Sequence, residues 1–237
     1  MSAATSNAEL SHGQKTSMKL LVLGALGVVY GDIGTSPLYA FKEVFAGNHP
    51  IPLTEANVFG GLSMIFWALM IIVSLKYVVF ILRADNRGEG GMMALIALAL
   101  HEAHGKPKRA KWIMLAGILG TAMFYGDGMV TPAISVLGAV EGLGVVAPQL
   151  QSMVIPLSIM ILTGLFLFQK HGTAKVGAFF GPVMGAWFAV LAAMGVFNVI
   201  QNPYVLLALN PMYAIHLLVD NPHMAVYAMG SVVLAIA

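Results

Sequence analysis

VVYGDIGTSPLYAF, residues 28–41, places a carboxylate, Asp32, inside an apolar run beside Gly31, Gly34 and Pro37. A second run, MFYGDGMVTPAIS at residues 123–135, repeats the arrangement with Asp127 among Gly126, Gly128 and Pro132. A charged side chain in hydrocarbon costs ~2.5–3.5 kcal/mol on insertion scales, so it normally faces a partner or a wet cavity. Glycine and proline beside it predict interrupted helices, whose freed backbone groups can line an ion site. Two such places in one membrane chain make ion transport the leading reading.

The surrounding sequence supplies the membrane. The 237 residues are 59% hydrophobic and only 9% charged, with a mean hydropathy of +0.85. Soluble domains carry roughly 25% charged residues, so the chain reads as an all-α polytopic membrane protein. Its formal charge of +2 gathers into no basic face for nucleic acid. With no cysteine, disulfides, thiolate metal sites and cysteine nucleophiles are excluded. The chain contains no Asn-x-Ser/Thr acceptor, which gives no support to a secreted glycoprotein.

Residues 1–17 read as a polar tail and 18–237 as a transmembrane domain. Its apolar segments fall near 18–45 (broken at 31–37), 57–82, 112–140, 153–169, 176–199 and 224–237. The stretch Leu20–Tyr30 follows Lys15 and Lys19 and has the length of a signal-peptide core. A cleaved signal peptide is therefore the alternative to a spanning helix that resumes over Leu38–Phe45. Arg83, Arg87, Lys106, Lys108, Arg109 and Lys111 lie in one loop, and Lys170 and Lys175 in another. The loops at 46–56, 141–152 and 200–223 hold no Lys or Arg. By the positive-inside rule the N-terminus and the loops at 83–111 and 170–175 are cytoplasmic. Lys76 reads as snorkelling from the inner end of the second segment, and Lys42, near the outer end of the first, is the exception. The apolar patch at 92–100 is too short to span and reads as an interfacial or partly re-entrant helix. Gly27 and Gly31, and Gly177, Gly181 and Gly185, have spacings that suit close helix crossings. The last segment stops at Ala237 in mid-run, too short to cross, so the sequence reads as the front part of a longer protein.

Two residue sets carry the chemistry. In the first, Pro37 disfavours helical geometry at Ser36 and removes a backbone donor, while Gly31 and Gly34 ease unwinding. Asp32, with the hydroxyls of Thr35, Ser36 and Tyr39, offers hard oxygen ligands for an alkali cation or a proton. The alternative is a kinked helix whose Asp32 bonds a neighbouring backbone. In the second, Tyr125 precedes Asp127, Thr131 and Ser135, and the last three share one helix face at i, i+4 and i+8. Pro132 cannot satisfy the Gly128 carbonyl. A hydrogen-bonded packing seam is the alternative there. His101-Glu102-Ala103-His104 lacks the spacing of a zinc helix and reads as a solvated face. His171, after Lys170, suits a helix end. Glu141 borders an outer loop, either as an entrance charge or merely exposed. No nucleotide-binding loop, catalytic triad or haem-ligating histidine pair is present, so neither enzyme activity nor a cofactor is expected.

These residues resemble the KUP family of potassium uptake permeases. The matching text is GVVYGDIGTSPLYAF, FWALMIIVSLKYVVFILRADNRGEGG, FYGDGMVTPAISVLGAVEGL, VIPLSIMILTGLFLFQKHGTAKVG, NPMYAIHLL and the final apolar run. The resemblance implies a potassium importer of the bacterial inner membrane, coupled to protons, with the ion and the proton as cargo and lipid as surroundings. It implies the inverted-repeat fold of the amino acid–polyamine–organocation superfamily, here the first repeat and the start of the second. By the resemblance Asp32 is the carboxylate tied to ion binding or proton coupling, and Tyr39 a site tyrosine. Asp127, Thr131 and Ser135 are the third-helix side of a potassium site. The rest of the sixth helix, the later helices and a C-terminal cytoplasmic domain, through which a homodimer could form, are not in this sequence. A permease for an amino acid or other organic solute, and a membrane subunit without transport of its own, are the competing readings. A substrate carboxylate would be repelled by Asp32, and the family text favours potassium.

Overall fold

The computed structural model describes residues 18–28, 30–47, 49–86, 88–169, 173–220 and 222–236. The expected polar tail at 1–17 and the Lys170–His171 pair lie outside them. The first apolar segment forms α1 (Met18–Val28), α2 (Tyr30–Ile33) and α3 (Ser36–Ala46). Gly34 and Thr35 separate α2 from α3. Thr35 N–H donates to the Asp32 carbonyl (3.0 Å) and Leu38 N–H to that of Thr35 (3.1 Å), a tight three-residue turn. The break is narrower than the expected 31–37. Pro37 falls in the first turn of α3, where its missing N–H would have no intrahelical partner and its fixed φ suits a helix start. The proline begins a helix here instead of unwinding one.

The second segment is continuous over Glu55–Arg83. Thr54 caps α4 (Glu55–Ala68) by accepting from Asn57 N–H. The helix then widens into a π-helix, Leu69–Phe80, and closes in a 3₁₀ turn, Ile81–Arg83. The apolar patch becomes α5 (Met92–Glu102), entered through Gly91 at φ 88°. After it α6 (Pro107–Val146) runs 40 residues without interruption, with Pro132 inside it. The helix break expected around Asp127 is therefore absent. A 3₁₀ helix, Pro148–Met153, leads to α7 (Val154–Gln169) and α8 (Thr173–Gln201). The latter contains Lys175, which the charge pattern had placed in a loop. The expected loop at 200–223 is largely helical, as a 3₁₀ stretch, Pro203–Leu209, and α9 (Pro211–Asp220). Asn210 explains part of this: its side-chain oxygen accepts from Met212 N–H at 3.0 Å, and Pro211 occupies the first turn, a favourable helix start. The final helix, α10 (Pro222–Val233), winds down through turns at Leu234, Ala235 and Ile236.

A core forms where α3, α4, α9 and α10 meet, from Ala40, Val44, Met64, Ile65, Leu217, Ala228 and Val232. Phe59 meets Tyr213 edge-on, and the Ser63 hydroxyl donates to the Asn210 carbonyl at 3.0 Å. On the other side α1 crosses α8 at Gly27 and Gly181. A Cβ on Gly27 would stand 2.5 Å from Gly181 N, and one on Gly181 2.5 Å from the Leu23 carbonyl oxygen, so only glycine permits this approach. Four described stretches are long and apolar enough to cross a membrane: Glu55–Arg83, Pro107–Val146, Pro148–Leu167 and Phe180–Gln201. Their apolar side chains mostly face outward. The chain is an all-helical, multi-pass membrane protein.

Candidate ion site

The break in the first segment stays open because α8 supports it. Trp187 Nε1–H donates to the Gly34 carbonyl at 3.0 Å. Phe188 and Met184 fill the space a side chain at Gly34 would need: a Cβ there would stand only 2.7 Å from Phe188 Cζ. The Thr35 hydroxyl turns back on its own helix, 3.1 Å from the Asp32 carbonyl oxygen. Thr35 thus satisfies backbone at the turn and does not project into the cluster.

Asp32, Ser36 and Tyr39 come together. The fully buried Ser36 donates to Asp32 Oδ1 at 3.0 Å. Tyr39 Oη lies 2.9 Å from Ser36 Oγ and 3.1 Å from the Leu234 carbonyl oxygen, within donating reach of either. This links the carboxylate at the break to the turn that follows α10. Across from it, α6 presents its own polar stripe. Thr131 donates to Asp127 Oδ1 at 2.6 Å. The Ser135 hydroxyl faces that of Tyr39. Asp32, Tyr39, Asp127, Thr131 and Ser135 are each half-buried. Two carboxylates, four hydroxyls and a backbone carbonyl therefore border one region between a broken helix and an unbroken one. Such an oxygen set suits a weakly hydrated monovalent cation.

Tyr125 is not part of this cluster. It is 69% exposed and lines an apolar groove between α5 and α6 with Met93, Ile96, Leu100, Met114 and Ile118. Two residues along a helix turn the side chain by about 200°, so Tyr125 faces away from Asp127. His101, Glu102 and His104 are exposed at the end of α5. Two contributors escaped the sequence reading. Trp187 gave a faint signal, since an indole N–H in an apolar span needs an acceptor. Leu234 gave none, because it contributes a backbone oxygen.

A multi-pass helical membrane protein with an oxygen-lined cluster at a broken first helix is the class that fold and site define. The chain belongs to the family of the K+ potassium transporter integral membrane domain, whose description matches residues 19–237, as the KUP resemblance led one to expect. It is 66% identical over 216 residues to "Probable potassium transport system protein Kup 1" of Dechloromonas aromatica, covering 91% of this chain and 34% of that protein. Kup 2 of the same organism is 55% identical, over 96% of this chain and 36% of its own length. The Kup protein of an Azoarcus species is 54% identical over 97% and 36%. The chain thus spans about a third of the length of the curated relatives it matches. No solved structure matches it.

Proposed function

We propose that this chain forms the ion-binding part of a permease that takes up potassium together with protons across the bacterial inner membrane. The observation that carries the proposal is the Asp32–Ser36–Tyr39 chain of hydroxyls ending at Leu234 and facing Asp127 and Thr131 on α6. The names of the relatives, all potassium transport system proteins, support the cargo. An ionised Asp32 holds a cation. A neutral one releases it and carries the proton, so the same side chain can couple the two. The charge pattern of the loops supports an N-terminus and a loop at 83–111 on the cytoplasmic side. The broken first helix and the turns ending α10 support an inverted-repeat architecture, in which two interrupted helices flank a midplane site. The second repeat, and a homodimer built through later parts of the relatives' length, belong to the same proposal.

The test is growth of a potassium-uptake-deficient bacterium on limiting potassium, using a full-length protein that carries this segment. Growth is restored, and uptake rises as external pH falls. Uptake indifferent to pH and to protonophores would remove the proton from the mechanism, and absence of uptake would remove the potassium.

A further inference from the structure

Two charges stand outside the cluster. Lys42 is the basic residue that charge sorting leaves on the outer side, and Glu141 is the acidic residue at the edge of the 141–152 loop. They are each other's partner. Lys42 Nζ pairs with Glu141 Oε2, the only salt bridge among the described residues. Both side chains are solvent-exposed, at 56% and 43%.

The position of the pair gives it meaning. Lys42 lies on α3 about one turn beyond Tyr39, and Glu141 lies on α6 beyond Ser135. The bridge joins the same two helices that flank the cluster, farther toward their outer ends. Just inside it, Tyr39 packs over Gly138, where a Cβ would sit 4.0 Å from that of Tyr39. A lone lysine here would repel an arriving cation, and Glu141 cancels that charge. An ion pair in water is weak, so it opens and closes readily. A buried one would be far harder to break, because each separated charge would lose its partner without regaining water.

We propose that Lys42 and Glu141 form a latch that holds the outer ends of α3 and α6 together over the cation cluster and parts to admit the ion. This rests on the reading of that cluster as the cation site and of this end as the outer one.

The test uses a full-length protein carrying this segment, otherwise free of cysteine, with Gly138→Cys as reporter behind the latch. Its labelling by a membrane-impermeant thiol reagent is followed without potassium. Lys42→Gln and Glu141→Gln each raise the labelling rate about two- to fivefold, the range an exposed ion pair supplies. The exchanged pair Lys42→Glu with Glu141→Lys restores the original rate. An unchanged rate in either single variant, or no restoration by the exchange, overturns the latch. Should the reporter variant fail to reach the membrane, a short bifunctional thiol cross-linker between Lys42→Cys and Glu141→Cys gives a second measurement. Cross-linking stops uptake, and uptake that persists overturns the proposal. Labelling needs no transport, so a latch that behaves as described in a protein moving no potassium would sink the cation-site reading alone.

Discussion

Asp32 and Asp127 sit in nearly the same local sequence, Tyr-Gly-Asp followed by a glycine, a threonine and a proline, yet their helices behave differently. The first breaks at Gly34 and Thr35, while α6 passes through Gly126, Gly128 and Pro132 unbroken. Glycine and proline make a break cheap; a neighbour makes it stay. At Gly34 an indole N–H takes the carbonyl, and Phe188 occupies the room a side chain would use. Around Gly126 and Gly128 no described group outside the helix's own local backbone would come within 4 Å of a Cβ. With nothing to receive a freed backbone group, the helix retains its own bonds and absorbs the proline as one missing donor.

The largest expected effect separates the two carboxylates. Asp32→Asn in the full-length protein reaches the membrane normally but loses proton-driven accumulation. The uptake rate falls about 10- to 100-fold, the equivalent of one charge-assisted hydrogen bond of ~1.5–3 kcal/mol. Asp127→Asn, on the rigid helix, raises the potassium KM by a smaller factor. Membrane abundance and uptake against external pH are measured together, and wild-type pH coupling in a well-expressed Asp32→Asn protein would end the assignment.

The next effect concerns the break itself. Gly34→Ala forces Phe188 to move and lowers stability by about 1–3 kcal/mol. Trp187→Phe, which strips the donor from the Gly34 carbonyl, costs about 1 kcal/mol. Gly128→Ala is neutral, or stabilising by up to ~1 kcal/mol, because alanine suits a helix interior better. Thermal midpoints of the solubilised protein check all three. Equal losses at Gly34 and Gly128 would show that the breaking tendency is local and that α8 plays no part.

The smallest effect sharpens the α6 face. Thr131→Ala removes the hydroxyl that donates to Asp127 and raises the KM by a few-fold, about 0.5–1.5 kcal/mol. Tyr125→Phe, on the opposite side, leaves the KM unchanged. A matching KM shift in Tyr125→Phe would bring that residue back into the cluster.

The sequence showed where the chemistry sits better than it showed the shape around it. Asp32, Ser36 and Tyr39 were legible because a carboxylate and hydroxyls gather beside the glycines and the proline that predict a helix break. The extent of the break was not, because Pro37 reads equally as a breaker and as a helix starter, and the choice lies with Trp187, 153 residues away. Tyr125 was grouped with Asp127 by proximity along the chain, whereas helical phase puts it on the other side. The stretch 200–223 reads as a loop between the apolar segments at 176–199 and 224–237, and it contains Pro203, Pro211 and Pro222. Each of those prolines in fact opens a helical stretch. Lys42 and Glu141 were both visible as oddities, but a pair 99 residues apart leaves no local pattern to read.

The Tyr39 hydroxyl has one hydrogen and two acceptors within reach, Ser36 Oγ and the Leu234 carbonyl. It can answer only one of them at a time. A cation that claimed the Leu234 oxygen would turn that hydrogen toward Ser36, and Ser36 would in turn commit its own hydrogen more firmly to Asp32. News of an occupied carbonyl just past α10 would thus reach the carboxylate by the reorientation of two O–H bonds, with no helix having moved.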